Sequence, residues 1–293
     1  MNNCDICPRN CRSDRLNGQK GFCQTAKEAF VYTSFLHQGE EPGISAGKGS
    51  GAVFFSGCNL KCLYCQNFRF SQDYAGEEFD IESLAYLFLN LENQGAANIN
   101  LVTPSHVLPQ ILAGLVLACE QGLNLPLVYN TSGYEKNNIL AHLEGIIDIY
   151  LTDLKYINPE TAKIFSNAPD YPQYALESIK EMYKQTNNIW DKDVLKQGLI
   201  IRHLVLPGYI EESKLILKWI KDNCPRALAS VMFQYQPYHQ AKNFPQISRR
   251  LSFKEYEDIK SCAQRLELEG WMQEYHQKEN MAGVHFQPGF EKT

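Results

Sequence analysis

The chain has 293 residues, of which 44% are hydrophobic and 21% charged, a composition typical of a globular protein with one large α/β domain or two smaller ones. Its net charge of −5 gives no general attraction to nucleic acids or anionic membranes. The longest apolar stretch, residues 111–119, falls short of the roughly 20 residues that span a bilayer. Ten cysteines without a visible export signal favour metal binding in a reducing compartment, so we expect a cytoplasmic protein.

Residues 1–47 are predicted to form a small cysteine-rich module and a connector, because they combine many turn residues with few long apolar runs. Four thiols fall within this region: Cys4, Cys7, Cys11 and Cys23. Four thiolates at such spacing can close a tetrahedral zinc site, which would fold a segment too small to fold alone. They can equally ligate a second [4Fe–4S] cluster that relays electrons. The pattern leaves both metals open, together with free thiols.

Residues 48–293 are predicted to form an incomplete (β/α)6 barrel with a C-terminal extension. Strand-like apolar runs alternate with helical patterns, as in a fold with a parallel sheet. The predicted strands are 52–56, 98–103, 127–130, 147–152, 199–206 and 229–234, and the predicted helices are 81–94, 107–121, 136–142, 177–185, 211–222 and 253–268. Six such units are fewer than the eight of a TIM barrel, and chemistry is expected at the carboxyl ends of the strands.

Several side chains in this region are predicted to be structural. Apolar residues at helical spacing predict a buried helix face formed by Ile81, Leu84, Leu87, Phe88 and Leu91. Three cysteines outside any cluster spacing are predicted to lie in the core: Cys119, Cys224 and Cys262. His203 alternates with Arg202 along a strand and is therefore expected to face the opposite side.

Residues 57–67, here called the cluster loop, read Gly-Cys-Asn-Leu-Lys-Cys-Leu-Tyr-Cys-Gln-Asn and directly follow the first predicted barrel strand. The thiols of Cys58, Cys62 and Cys65 are close enough in sequence to bind three corners of one metal cluster. A [4Fe–4S] cluster normally takes four protein thiolates. Three ligands would therefore leave one iron open to an outside ligand, much as a catalytic metal keeps an open position. The alternative is three unrelated thiols.

The C-x3-C-x2-C spacing, with Tyr64 before the third cysteine, resembles the signature of radical S-adenosylmethionine (SAM) enzymes. Later segments resemble one branch of them, the glycyl-radical-enzyme activases typified by pyruvate formate-lyase activating enzyme. These segments are 130–133 (Asn-Thr-Ser-Gly), 153–155 (Asp-Leu-Lys), 202–208 and 236–239 (Gln-Pro-Tyr-His). The resemblance covers about residues 48–240, and the N-terminal module is similar to that of uncharacterised homologues of the activase.

The resemblance implies that Cys58, Cys62 and Cys65 ligate a catalytic [4Fe–4S] cluster whose open iron chelates SAM. A low-potential donor, a flavodoxin or ferredoxin, would reduce the cluster. Reductive cleavage of SAM would then give a 5′-deoxyadenosyl radical for hydrogen abstraction. The implied substrate is a glycyl radical protein. The alternatives are another peptide, protein or small molecule, a protein whose clusters only transfer electrons, and a metal-stabilised binding protein without turnover.

The resemblance also implies that Lys155 points into the cavity and that a set of side chains contacts the cofactor. That set is Tyr64, Asn67, Thr103, Ser105, Asn130, Thr131, Asp153, Arg202 and His239. For four of these positions a structural alternative is open: a packing aromatic for Tyr64, a strand-end salt bridge for Asp153, a structural acid partner for Arg202 and a surface position for His239.

Two departures from the family pattern concern the cofactor contacts. Residues 103–106 (Thr-Pro-Ser-His) stand where the family carries a Gly-Gly-Glu-like turn that holds the SAM amino group. We expect Thr103, Ser105 or a backbone carbonyl to substitute, and the sequence leaves these three open. Asn130 stands where the activases have an acidic residue, so a monovalent cation site at this strand end would be one charge weaker.

Overall fold

The computed structural model describes residues 2–275 and the backbone of residues 289–290, so most of the predicted C-terminal extension lies outside the described residues. The strands form one sheet. They are β1 (Ala29–His37), β2 (Ser50–Phe55), β3 (Glu77–Phe79), β4 (Ile99–Val102), β5 (Leu127–Thr131), β6 (Ile149–Asp153), β7 (Ile189–Asp191), β8 (Val194–Leu204), β9 (Leu228–Met232), β10 (Gly270–Met272) and β11 (Gly289–Phe290).

The helices alternate with these strands as a βα-repeat fold requires. They are α1 (Pro42–Ser45), α2 (Phe68–Ser71), α3 (Ile81–Asn93), α4 (Leu108–Glu120), α5 (Asn137–Leu140), α6 (Pro159–Ser166), α7 (Tyr171–Gln185), α8 (Ile210–Asn223) and α9 (Phe253–Arg265). Short 3-10 turns lie at Arg15–Asn17, Ser105–Val107, Ala141–Leu143 and Ala241–Asn243. Among the described residues, no helix has the length and apolar character to cross a bilayer.

The sheet has the order β10-β9-β8-β6-β5-β4-β2-β1-β11, with β3 paired to β1 and β7 paired to β8. Every neighbouring pair from β2 through β10 is parallel, whereas β1 runs antiparallel to β2. All six predicted barrel strands are present, as β2, β4, β5, β6, β8 and β9. The predicted parallel βα architecture is confirmed.

The domain boundary at residue 47 stays a prediction, and the structure shows that residues before it contribute to the main sheet. The strand β1 belongs to the main sheet, and the connector that follows it turns inward, so that α1 lies inside the barrel. There Ile44 is fully buried against Val128 and Ile149, near the amino ends of β5 and β6. Residues 2–28 precede β1 and contribute no strand to the sheet, and we call them the cysteine segment. A connector that fills the barrel interior carries no periodic pattern that the sequence could reveal.

Two residues that were predicted to lie in the core, Ile81 and Cys119, are exposed. Ile81 is 39% exposed because Asp80 caps α3, its side chain accepting a hydrogen bond from Ser83 N–H, and this places Ile81 in the first turn at the edge of the core. Cys119 is exposed in the last turn of α4. The other predicted core residues of α3 are buried, as are Cys224 and Cys262. The helix α6 has only eight residues, and no helix was predicted from its sequence.

Candidate active site

A cavity of about 470 Å³ lies at the carboxyl ends of the parallel strands, between the cluster loop and the connector that leads into α1. Most of the predicted site residues line it: Cys58, Cys62, Tyr64, Cys65, Asn67, Thr103, Asn130, Thr131, Asp153, Lys155 and Arg202. The structure thus brings together residues that are as far apart in sequence as Cys58 and Arg202. Ser105 and His239 are not among the lining residues.

Each of the three sulfurs of the cluster loop has at least one hydrogen-bond partner. The contacts are Leu60 N–H to Cys58 Sγ at 3.4 Å, Ser166 Oγ–H to Cys62 Sγ at 3.0 Å, and a bond of 3.2 Å between Cys65 Sγ and Ser71 Oγ. Hydrogen bonds to sulfur favour thiolates and tune the potential of iron–sulfur clusters. The loop leaves β2 through Gly57, whose φ of +91° is readily adopted only by glycine.

Burial raises the pKa of Cys58 to about 12 and that of Cys65 to about 11, and the neighbouring Cys62 thiol adds to both shifts. As free groups these thiols would stay protonated at neutral pH. A bound metal cation supplies the positive charge that makes a coordinating thiol ionise. Three thiols of one short loop, one buried and two half-buried, with hydrogen-bond partners on their sulfurs therefore fit a metal cluster.

A buried hydrogen-bonded chain leads away from Cys62 into the core. Ser166, the last residue of α6, bonds to Tyr156 OH at 2.8 Å, and Tyr156 OH bonds to Tyr64 OH at 2.6 Å. All of these side chains are buried. The chain fixes the Ser166 hydroxyl against the sulfur, so this donor is held in place by the fold and does not depend on a free rotamer.

The pair Asp153 and Lys155 stands at the carboxyl end of β6, where Lys155 Nζ lies 2.5 Å from Asp153 Oδ2. Both side chains line the cavity. Burial lowers the pKa of Lys155, but the Asp153 carboxylate outweighs it and holds the pKa well above the usual range. Lys155 is therefore a cation at neutral pH. The strand-end salt bridge is present, and it lies in the cavity.

Arg202 is occupied by two carboxylates from the connector after β1. Its Nε donates to Glu41 Oε1 at 2.7 Å and its Nη2 to Glu41 Oε2 at 2.5 Å, and Nη2 also contacts Glu40. The three side chains are at most 16% exposed. The guanidinium fork is thus filled by a bidentate acid partner, the structural alternative that the sequence left open. Glu40 and Glu41 were missed because their connector was predicted to lie outside the barrel.

Glu135 is a buried carboxyl group that the sequence analysis also missed. It accepts hydrogen bonds from Ser105 Oγ and Thr131 Oγ1 and so ties the carboxyl ends of β4 and β5 together. Burial raises the pKa of Glu135 to about 7. The sequence signal for a site residue here was the position of Glu135, two residues after the motif at 130–133. Ser105 is engaged here, whereas Thr103, held at a φ of +62°, lines the cavity.

Two histidines differ in their surroundings. His203 is buried, with Nδ1 2.8 Å from the Leu154 carbonyl and Nε2 2.9 Å from Ser213 Oγ, which confirms its predicted structural role. His239 is half-buried and stacks on Phe68 with ring centroids 4.8 Å apart. Its cofactor contact stays a prediction, as does the monovalent cation near Asn130.

The radical SAM superfamily profile matches residues 52–220, more than half of the chain. The chain belongs to the radical SAM superfamily. Membership implies a [4Fe–4S] cluster and SAM as cofactors and supports an enzyme. The predicted family and fold class are therefore confirmed.

The chain is similar to two curated proteins and to one solved structure. It is 32% identical over 274 residues to an uncharacterised protein of Methanocaldococcus jannaschii, covering 91% of this chain and 76% of that protein. It is 26% identical over 192 residues to the pyruvate formate-lyase-activating enzyme of Clostridium pasteurianum, covering 62% and 73% of the two chains. The crystal structure of Streptococcus suis SuiB bound to S-adenosylmethionine matches with a TM-score of 0.53 at 11% identity over 75% of this chain, which spans about half (48%) of that one. That last likeness concerns the fold alone.

The raised pKa of Glu135 predicts a pH-dependent stability. The carboxyl has a folded pKa of about 7 against an ordinary value of 4.5, so stability falls as the pH rises through this window and the loss is complete above it. Glu135→Gln keeps an oxygen that can accept both hydroxyl hydrogen bonds but removes the charge. We expect it to raise the free energy of unfolding at pH 8 by on the order of 3 kcal/mol, and by much less at pH 5.

Denaturant unfolding at the two pH values measures this effect. The matched control is Glu120→Gln, at an exposed position at the end of α4, which should change stability by less than about 0.5 kcal/mol at either pH. A Glu135→Gln variant that is less stable than the wild type at pH 8 would contradict the assignment of a buried ionised carboxyl.

Proposed function

We propose that Cys58, Cys62 and Cys65 ligate the [4Fe–4S] cluster and that the protein reductively cleaves SAM in the adjoining cavity. The observation that carries this is three thiols of one loop, each hydrogen-bonded at sulfur, at the rim of a cavity lined by charged strand ends. When bound, the cluster would supply one electron for the reductive cleavage of SAM, and the resulting 5′-deoxyadenosyl radical would serve to take hydrogen from a substrate.

The chain's own residues bind and orient SAM. SAM carries an ammonium, a sulfonium and a carboxylate, so it needs acceptors and a cation in one place. With Arg202 occupied by Glu41, we assign the SAM carboxylate to Lys155, a cavity cation whose paired acid Asp153 is partly exposed. The proposed polar and aromatic contacts are Tyr64, Asn67, Thr103, Asn130 and Thr131, all lining the cavity. Enclosure of this site keeps water from the reactive species.

The deciding test is SAM cleavage by the anaerobically reconstituted protein. Reduced wild-type protein should form 5′-deoxyadenosine and methionine from SAM, whereas Cys62→Ala should lose at least about a thousand-fold in rate, because a lost ligand removes the electron source. Cys119→Ala removes an exposed thiol outside the site and is the matched control, with an unchanged rate. Product is quantified by chromatography. Turnover by Cys62→Ala at the wild-type rate would overturn the assignment.

Ser166 should set the potential of the cluster. A hydrogen bond to a ligand sulfur stabilises the more electron-rich reduced state, so Ser166→Ala should move the midpoint potential to a more negative value. Tyr156→Phe keeps that bond and removes the next hydroxyl of the chain, and it should give a smaller shift in the same direction. Potentiometric titration followed by EPR measures both variants. A fully loaded Ser166→Ala protein with the wild-type potential would show that the bond does not act on the cluster.

For the substrate, we propose a glycine-bearing loop of a glycyl radical protein. What supports this is the 26% identity to the activating enzyme of Clostridium pasteurianum, together with motif segments that contribute to the cavity lining, among them Asn130, Asp153 and Gln236. An electron donor of the flavodoxin or ferredoxin class would supply the reducing equivalent. Modification of another peptide, protein or small molecule is the competing outcome.

Incubation of the reduced protein and SAM with glycyl radical proteins of the same cell tests the substrate. A glycyl doublet should appear by EPR and should be absent when the acceptor glycine of the partner is replaced by alanine. Accumulation of 5′-deoxyadenosine without a doublet on any such protein would exclude the activase role and leave SAM cleavage itself intact.

A further inference from the structure

The cysteine segment brings its thiols close together beside the cluster loop. A hydrogen bond from Cys4 N–H to the Ser13 carbonyl, 3.1 Å long, brings the first cysteine beside the turn that holds Cys11. A Cβ on Gly21 would lie 2.6 Å from the Cys11 sulfur, so only glycine lets the segment that precedes Cys23 pass this close. Three of the four thiols are buried in a segment that has no helix or strand beyond one short turn.

Arg15 introduces a buried positive charge into this segment. Its side chain is 1% exposed, and its Nη1 donates to the His106 carbonyl at 2.7 Å and lies 3.9 Å from Cys4 Sγ. Its Nη2 is buried without a hydrogen-bond partner, and among the described residues no carboxylate lies within ion-pair distance of Arg15. A buried charge is costly unless it is paired. The group beside this guanidinium that can become an anion is the thiol of Cys4.

A metal centre with four thiolates resolves this imbalance. Four thiolates around Zn²⁺, or around a [4Fe–4S] core, leave a net negative charge that a neighbouring guanidinium would balance. Free thiols leave Arg15 unpaired. Arg15 therefore points to a bound centre in the cysteine segment and not to four unrelated cysteines.

The arrangement of the thiols among the described residues does not fit a single metal ion. Sulfurs around one Zn²⁺ stand about 3.8 Å apart, because each Zn–S bond is about 2.3 Å long. Among the residues that the structure describes, no three cysteine, histidine or acidic side chains are arranged to hold a single ion. The ligands of a cluster bind separate irons and stand further apart. The thiols of Cys58, Cys62 and Cys65 likewise form no single-ion site among the described residues.

The cysteine segment touches the cluster loop through backbone contacts. A Cβ on Gly57 would lie 2.5 Å from the Cys23 carbonyl oxygen, so the residue before Cys58 packs directly on the last cysteine of the segment. Arg9 Nε also donates to the Asn59 carbonyl at 2.7 Å. A centre bound by the segment would therefore lie next to the catalytic cluster, with little insulating chain between the two.

We propose that Cys4, Cys7, Cys11 and Cys23 bind a second iron–sulfur cluster, balanced by Arg15, that relays electrons to the catalytic cluster. A low-potential one-electron donor of the ferredoxin or flavodoxin class reduces it, and it passes one electron on to the cluster at Cys58, Cys62 and Cys65. The relay role rests on the proposed function, since that cluster is its acceptor. The binding of the second cluster does not.

Iron, sulfide and zinc counts on the anaerobically reconstituted full chain test the binding. Wild type should hold about eight irons and no zinc, and both Cys4→Ser/Cys23→Ser and Cys58→Ala/Cys62→Ala/Cys65→Ala should hold about four. Cys119→Ser should match wild type. The triple variant leaves the cysteine segment intact. Its iron content therefore decides whether the segment binds a cluster, even if the double variant does not fold. Zinc without iron in the triple variant, or wild-type iron in the double variant, overturns the proposal.

The relay is tested by changing the reductant. With a reduced ferredoxin, Cys4→Ser/Cys23→Ser should form 5′-deoxyadenosine at least ten-fold more slowly than wild type, and with dithionite less than two-fold more slowly. Equal losses with both reductants would overturn the relay.

Arg15→Met should shift the reduction potential of the second cluster to more negative values, since a positive charge favours the reduced form. A wild type that forms no 5′-deoxyadenosine refutes the proposed function, while the iron count of the triple variant still decides the second cluster.

Discussion

The parallel register of the sheet is the constraint on which the candidate site depends. Because β2, β4, β5, β6, β8 and β9 run in one direction, their carboxyl ends meet at one edge. Strand pairing then fixes which residues are neighbours across the sheet: Val102 pairs with Asn130, and Asp153 pairs with Arg202. A slip of one residue would turn these side chains to the opposite face. The polar lining of the cavity thus follows from backbone hydrogen bonds.

Charges buried at this edge are balanced in different ways. Arg202 is held by two carboxylates, Lys155 is held by one, and Glu135 binds a proton more readily than an exposed glutamate. In each case the cost of removing a charge from water is met by a partner or avoided by a change of protonation state. Arg15 is the exception among these groups, and this is why it is informative. The buried guanidinium of Arg15 has no carboxylate partner among the described residues, so it suits the negative charge of a metal centre bound by the cysteine segment.

The sequence predicted the parts of the fold that carry periodic signals. The six barrel strands and the long helices α3, α4, α8 and α9 follow from apolar patterns, and the cluster loop follows from the spacing of three thiols. The connector with Glu40 and Glu41 could not be placed, because its path into the barrel depends on tertiary packing around Ile44. The contact of Ser166 with Cys62 was equally out of reach, since it joins residues 104 positions apart on a helix too short to predict.

The helix α1 closes the barrel at the amino ends of the strands, where Ile44 is packed without exposed surface. The cavity at the carboxyl ends is then the mouth through which ligands reach the strand ends. Under the proposed function, a macromolecular substrate that covers this mouth would have to arrive after SAM. Methionine and 5′-deoxyadenosine would leave only after that substrate departs. An ordered addition and release is therefore a consequence of the proposal together with the packing of one short helix.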